Sequence, residues 1–312
     1  MELPSTSVPE PDATLEPDGF TVAAGEGDRI HFLDWGEPQG AVARGGVVAV
    51  HGLGQTAWVW APVARRLGGS GGVTRFVTMD LRGHGLSDAP TEDGAYDLDR
   101  LADEVVAVAE GAGLLGGADD DRVTLVGHGF GAIVVARAAA GMGRSCSGVV
   151  LVDGGWESLE ASTGMDPDEF LRGLDEPPEV MASLDAFMAD RQAFGPDTWD
   201  ADQDRAARAT VVETHAGRVV PSARPHAVET SVRAMFTYDP ISTLASIEAP
   251  IVALAAADDE TGSRMRALAK ASEACVGAGR SAIEVVAFPH DGHNLMRYRP
   301  REVAAAILAL AR

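Results

Sequence analysis

Apolar positions along this chain follow two alternating patterns. Short runs rich in β-branched residues predict strands, and longer stretches with apolar residues three and four apart predict helices. Residues 19–24 and 30–35 read as two strands, a hairpin around Gly25-Glu26-Gly27-Asp28. Residues 45–50 form a buried strand ending at His51-Gly52, and Trp58, Val59, Ala61, Val63, Ala64 and Leu67 place a helix over 57–68. The alternation continues with a strand at 75–79, a helix from Tyr96 to Leu115, a strand at 122–126, a helix at 130–141 and a strand at 148–152.

After Asp153 the pattern changes. Residues 154–245 hold no convincing strand, carry more proline and charge, and predict short amphipathic helices at 168–174, 179–194, 203–216 and 225–236. Strand and helix then resume, at 250–255, 262–276, 282–287 and 300–311. This order predicts an α/β fold: a mostly parallel central sheet flanked by helices, with a helical cap inserted after the sixth or seventh strand. The expected division is a disordered tail over 1–18, a first part of the core over 19–153, the cap over 154–245 and a second part of the core over 246–312.

Composition narrows the function. The 312 residues are 46% hydrophobic, enough for a packed core, and carry a formal net charge of −22. Lys270 is the single lysine, so the positive charge is almost all arginine. So acidic a surface repels nucleic acid and anionic membranes, and neither is expected as a partner. The two cysteines, Cys146 and Cys275, stand in no metal-ligand spacing, so no metal and no cofactor are expected. No apolar run is long enough to span a membrane. The start, MELPSTSVPEPDATLEPDG, lacks the basic and apolar regions of a signal peptide, so a cytoplasmic protein is expected.

Four local signals then follow in order: His51-Gly52-Leu53-Gly54 at a strand end; Asp80-Leu81-Arg82-Gly83-His84-Gly85-Leu86-Ser87-Asp88 after the next strand; Gly127-His128-Gly129-Phe130-Gly131 between a strand and a helix; and Asp258-Asp259 after a late strand, with Gly292-His293 before the last helix. Together they resemble the α/β-hydrolase superfamily from about residue 19 to 312, and its cap-bearing actinobacterial-type members in particular. That likeness also draws on Leu151-Val152-Asp153-Gly154-Gly155 and on Ala257 to Gly262.

The resemblance places Gly129 where the family has the serine of Gly-x-Ser-x-Gly. A sharp strand-to-helix turn exposes that residue, and the flanking glycines let the two elements approach. Gly129 has no side chain and can form no acyl-enzyme. The resemblance makes His293 the base and Asp259 the acid that orients it, with Asp258 as a neighbouring competitor; His290 and Asp291 lie close to the base. Asp153 is the alternative acid, at a strand end that some members use. The main-chain N–H groups of Leu53 and Phe130 match the oxyanion hole, which does not depend on side-chain identity. The Arg82–Ser87 turn reads as structural. Ser87 is not expected at the elbow, and His128 is expected to point into the core.

Three functions are compatible with this pattern. One is an enzyme of the hydrolase type that acts on a small, apolar, carbonyl-type substrate through a His–Asp dyad, by water attack or by lyase-like proton abstraction. The second is a non-catalytic ligand-binding protein on a hydrolase scaffold. The third is an ordinary serine hydrolase whose serine has been replaced by Gly129.

Overall fold

A computed structural model describes residues 8–25, 27–37, 46–68, 75–117, 121–174, 181–258 and 262–311. The elements run β1 Asp18–Ala24, β2 Asp28–Asp34, β3 Gly46–Val50, α1 Ala61–Leu67, β4 Phe76–Met79, α2 Leu98–Gly111, β5 Val123–His128, α3 Phe130–Met142 and β6 Cys146–Val152. The inserted part holds α4 Leu159–Thr163, α5 Pro167–Gly173, α6 Leu184–Phe194, α7 Ala201–Ala209, β7 Val211–Glu213, β8 Val219–Pro221 and α8 Pro225–Phe236. The chain closes with α9 Pro240–Ser246, β9 Ile251–Ala255, α10 Ser263–Gly277, β10 Glu284–Ala287, α11 Leu295–Tyr298 and α12 Pro300–Leu310.

Eight strands form one sheet in the order β1-β2-β4-β3-β5-β6-β9-β10, antiparallel only where β2 meets β1 and β4. The central strands are apolar on both faces. On β3, Val48 and Val50 join one core cluster with α2 and α3, while Val47 and Ala49 join the other with α1 and α12. On β6, Val149 and Leu151 face the first cluster, and Val150 and Val152 the second. A strand with period-two geometry must be apolar at every position to be covered on both faces, which is why these runs look continuous in sequence. β4 and β5 lie on opposite sides of β3, so the chain order reverses there. The loops after β3 and β5 open at the carboxyl edge of the sheet, where such folds form their crevice.

Three expectations need correction. First, residues 8–17 of the expected tail pack on the domain; residues 1–7 lie outside the described part. Val8 is buried, the Asp12 N–H donates to the Arg65 carbonyl at 2.8 Å, and the Arg65 guanidinium donates to the carbonyls of Ala13 and Leu15. Glu16 pairs with Arg65 of α1 and Arg205 of α7, and Arg65 also binds Asp202 at 3.0 Å, so this segment ties core to insertion. Second, the insertion is not wholly helical. The helix expected over 203–216 ends at Ala209, and the β-branched Val211-Val212 pairs with Val220-Pro221 in a hairpin turned at Gly217, whose φ is +73°. Third, 57–68 is split into a short 3-10 turn, Ala57–Trp60, and α1, which starts just before Pro62. Phe187, Met188 and Val219, with Met181, Leu184 and Trp199 against them, form a small core of the insertion itself.

Candidate active site

The turn after β5 is drawn as tightly as its glycines predict. A Cβ on Gly127 would stand 2.3 Å from the Gly131 carbonyl oxygen, and one on Gly131 would stand 2.4 Å from that of Val50. Neither position admits a side chain. Gly129 between them has φ +53° and ψ −114°, strained for an L-residue and cheap for glycine. Its N–H donates to the Val152 carbonyl at 3.1 Å, which fixes the turn against the end of β6.

His293 faces this turn. The point where a Gly129 Cβ would stand is 3.1 Å from His293 Nε2 and 3.4 Å from Cε1. On the other side of the ring, Nδ1 donates to Asp153 Oδ2 at 2.5 Å. Asp153 is 2% exposed and has φ +47°, and its Oδ1 accepts from the Ala256 N–H and from Arg264, both at 3.0 Å. Burial alone would raise its pKa. The His293 hydrogen bond and the Arg264 guanidinium outweigh burial and hold Asp153 below the ordinary carboxylate value. Among the described residues, the carboxylate brought to His293 is Asp153. Asp259 lies outside the described residues. Asp258 caps the start of α10, accepting the N–H groups of Arg264 and Met265 at 3.3 and 3.1 Å.

The loop after β3 is held by histidines that read in sequence as loop residues. Leu81 N–H donates to His51 Nε2 at 3.0 Å, and His51 Nδ1 donates to the Gly52 carbonyl at 2.7 Å. Gly54 N–H donates to His84 Nε2, and His84 Nδ1 donates to the Arg82 carbonyl, both at 3.1 Å. The Arg82–Ser87 turn thus braces the loop that carries Leu53. Ser87 is engaged there, donating to the Asp80 carbonyl at 2.7 Å, and is not at the elbow. Neither the Leu53 N–H nor the Phe130 N–H donates to a backbone carbonyl among the described residues. Phe130 opens α3, where the first N–H groups of a helix have no partner within it.

His128 is buried, as expected, beneath His293, with ring centroids 4.3 Å apart. Its Nδ1 lies 3.0 Å from Gln55 Oε1 and its Nε2 lies 3.1 Å from the His293 carbonyl. Gln55 also accepts the Gly52 N–H at 3.0 Å and donates to Asn294 Oδ1 at 2.8 Å. Gln55 and Asn294 therefore join the two loops that frame the elbow. No sequence signal marked either residue, nor Arg264.

Burial holds His128 and His84 neutral, with pKa values pushed down to about 3 and about 4. Between those values and the ordinary 6.5, the unfolded chain binds more protons than the folded one. Stability from these two residues is complete above pH 6.5 and declines as pH falls toward 4, by about 1.4 kcal/mol per pH unit per histidine. Urea unfolding midpoints at pH 7.5, 6 and 5 should fall in that order; a flat series contradicts the neutral assignment.

A separate groove of about 840 Å³ lies between α2 and the far end of α3, lined by Asp99, Asp103, Glu110 and Arg137 among others. It is well removed along α3 from the elbow. Among the described residues no group of side chains has metal-binding geometry, and no helix is long and apolar enough to cross a membrane.

Comparison with known proteins agrees with this fold. A model of the alpha/beta hydrolase family matches residues 47–306. A 109-residue stretch is 33% identical to epoxide hydrolase A of Mycobacterium tuberculosis, covering 35% of this chain and only 30% of that protein. E-2-(acetamidomethylene)succinate hydrolase has the same fold, with a TM-score of 0.73 at 21% identity over 94% of this chain and 98% of that one. So does the M. tuberculosis esterase Rv0045c, with a TM-score of 0.66 at 22% identity over 94% and 91%.

Proposed function

The chain belongs to the alpha/beta hydrolase family, and on that premise we propose that it hydrolyses a small, uncharged carbonyl compound without a covalent intermediate, with His293 as base and Asp153 as its orienting acid. The observation that carries this reading is the His293–Asp153 pair aimed at an elbow that has no side chain. The Cβ point at Gly129 lies 3.1 Å from Nε2, so that nitrogen faces the space a larger residue would fill at the elbow. A water in that space, hydrogen-bonded to Nε2 and in van der Waals contact with the Gly129 main chain, can give its proton to Nε2 while its oxygen attacks the carbonyl carbon. The oxyanion so formed is received by the Leu53 and Phe130 N–H groups. Collapse expels the leaving group, which takes the proton back from the imidazolium, and Asp153 stabilises that cation meanwhile. The same base can instead take a proton from a substrate carbon, which makes the lyase-like route a variant of one site. The charged neighbours Arg264 and Glu157 pair with each other, and Arg264 with Asp153, which supports an uncharged substrate.

Epoxide and ester hydrolysis in the relatives guide the substrate search. Short p-nitrophenyl esters, lactones and epoxides should be incubated with the protein in ¹⁸O-water and acid-quenched within one turnover. The expected result is labelled product, protein of unchanged mass and no ¹⁸O in the protein. A trapped adduct would replace water attack with covalent catalysis. Ligands that bind, with none turned over, would establish a binding scaffold instead.

A further inference from the structure

The carboxylate that holds His293 is itself held by a cation. Arg264 stands in the first turn of α10. Its Nη1 lies 3.0 Å from Asp153 Oδ1, while His293 occupies Oδ2. The same guanidinium donates from Nη2 to the Asp153 carbonyl at 3.4 Å and from Nε to Glu157 Oε1 at 2.8 Å, and it lies 5.5 Å from the Trp156 ring centroid. One side chain thus spans residues 153–157. Asp153 is the only described residue other than glycine with a positive φ, and such a conformation persists only where its surroundings over-determine it.

We propose that Arg264 is a positioning residue of the dyad, clamping the strained Asp153 turn and sharing the carboxylate's charge with His293. The proposal rests on the reading of His293 as the base. With a neutral imidazole, Asp153, Glu157 and Arg264 together carry one negative charge; with an imidazolium the cluster is neutral. Without Arg264 the neutral imidazole faces two negative charges and holds a proton more firmly. Lysine would keep the charge but has no planar fork to reach Asp153 and Glu157 together. Among the described residues, the other titratable groups on the elements that frame His293 are His128 from β5, Asp258 after β9, and His290 and Asp291 on its own loop; Asp291 pairs with Arg299. None of them is substituted in the Arg264 and Glu157 variants below, so differences between those variants report the Arg264 cluster.

The test is a histidine NMR titration of the full-length protein, with the His293 signal assigned through its loss in His293→Ala. Arg264→Gln should raise the His293 midpoint by about 0.5–1 pH unit, and Arg264→Lys should leave it within about 0.3 unit of the parent. Glu157→Gln, which removes the opposing charge, should lower it. An unmoved midpoint in Arg264→Gln, or equal shifts in the Gln and Lys variants, overturns the proposal. Should Arg264→Gln not fold, a Glu157→Gln midpoint that fails to fall does the same. The titration is read without turnover, so its failure is separate from failure of the hydrolytic reading.

Discussion

Gly129→Ser is expected to gain labelling by a fluorophosphonate probe and to hydrolyse p-nitrophenyl acetate about 10²–10³-fold faster than the parent, the scale of a general base acting on a positioned nucleophile. The turn already has the conformation that the serine needs, with φ +53° at its centre. Holding a non-glycine residue there costs about 1–3 kcal/mol, which a domain of this size tolerates. The new Cβ would sit 3.1 Å from His293 Nε2, so the ring must retreat by a few tenths of an ångström. It is able to: the His293 side chain is 56% exposed, and its anchor is one hydrogen bond to Asp153. The proposed oxyanion donors are main-chain groups and are not altered by the substitution. A folded variant with no labelling above the parent would mean that His293 and the elbow do not work on the same atom.

The sequence carried the elbow more clearly than the partner of its base. Gly127 and Gly131 were legible because backbone contact excludes any side chain there, and that constraint is local. The sheet was legible for the same reason, since burial on both faces leaves uninterrupted apolar runs. The acid was not. Asp153 and Asp259 both follow strands, and those strands are neighbours, with Val152 beside Leu254. Motif register favours Asp259, which lies outside the described residues, and the approach of Asp153 to His293 accompanies a positive φ at Asp153 and the Arg264 clamp, both set by tertiary structure. The tail failed likewise. Residues 8–17 offer few apolar side chains, and what secures them is Arg65, some fifty residues away in sequence. In the insertion, the helical period runs on through Thr210 into Val211-Val212, whose β-branched pair belongs to a hairpin.

The choice between the two acids is testable with an effect nearly as large as loss of the base. In the Gly129→Ser background, the fluorophosphonate labelling rate should fall by about 10²–10⁴-fold in both His293→Ala and Asp153→Asn, and should stay within about threefold in Asp259→Asn. Asparagine is a demanding probe at position 153. It tolerates the left-handed region as well as aspartate does, so the φ of +47° does not by itself cost the fold. It keeps one carbonyl oxygen, but that oxygen is contested by the Ala256 N–H, Arg264 and His293. If its amide nitrogen turns toward His293, Nδ1 must accept rather than donate, and the proton moves to Nε2, where it blocks the base. If the oxygen stays with His293, the amide is turned on Arg264. Either way the imidazolium loses the negative charge that stabilises it. Labelling that survives Asp153→Asn and collapses in Asp259→Asn would reverse the assignment and make the 2.5 Å contact a resting arrangement.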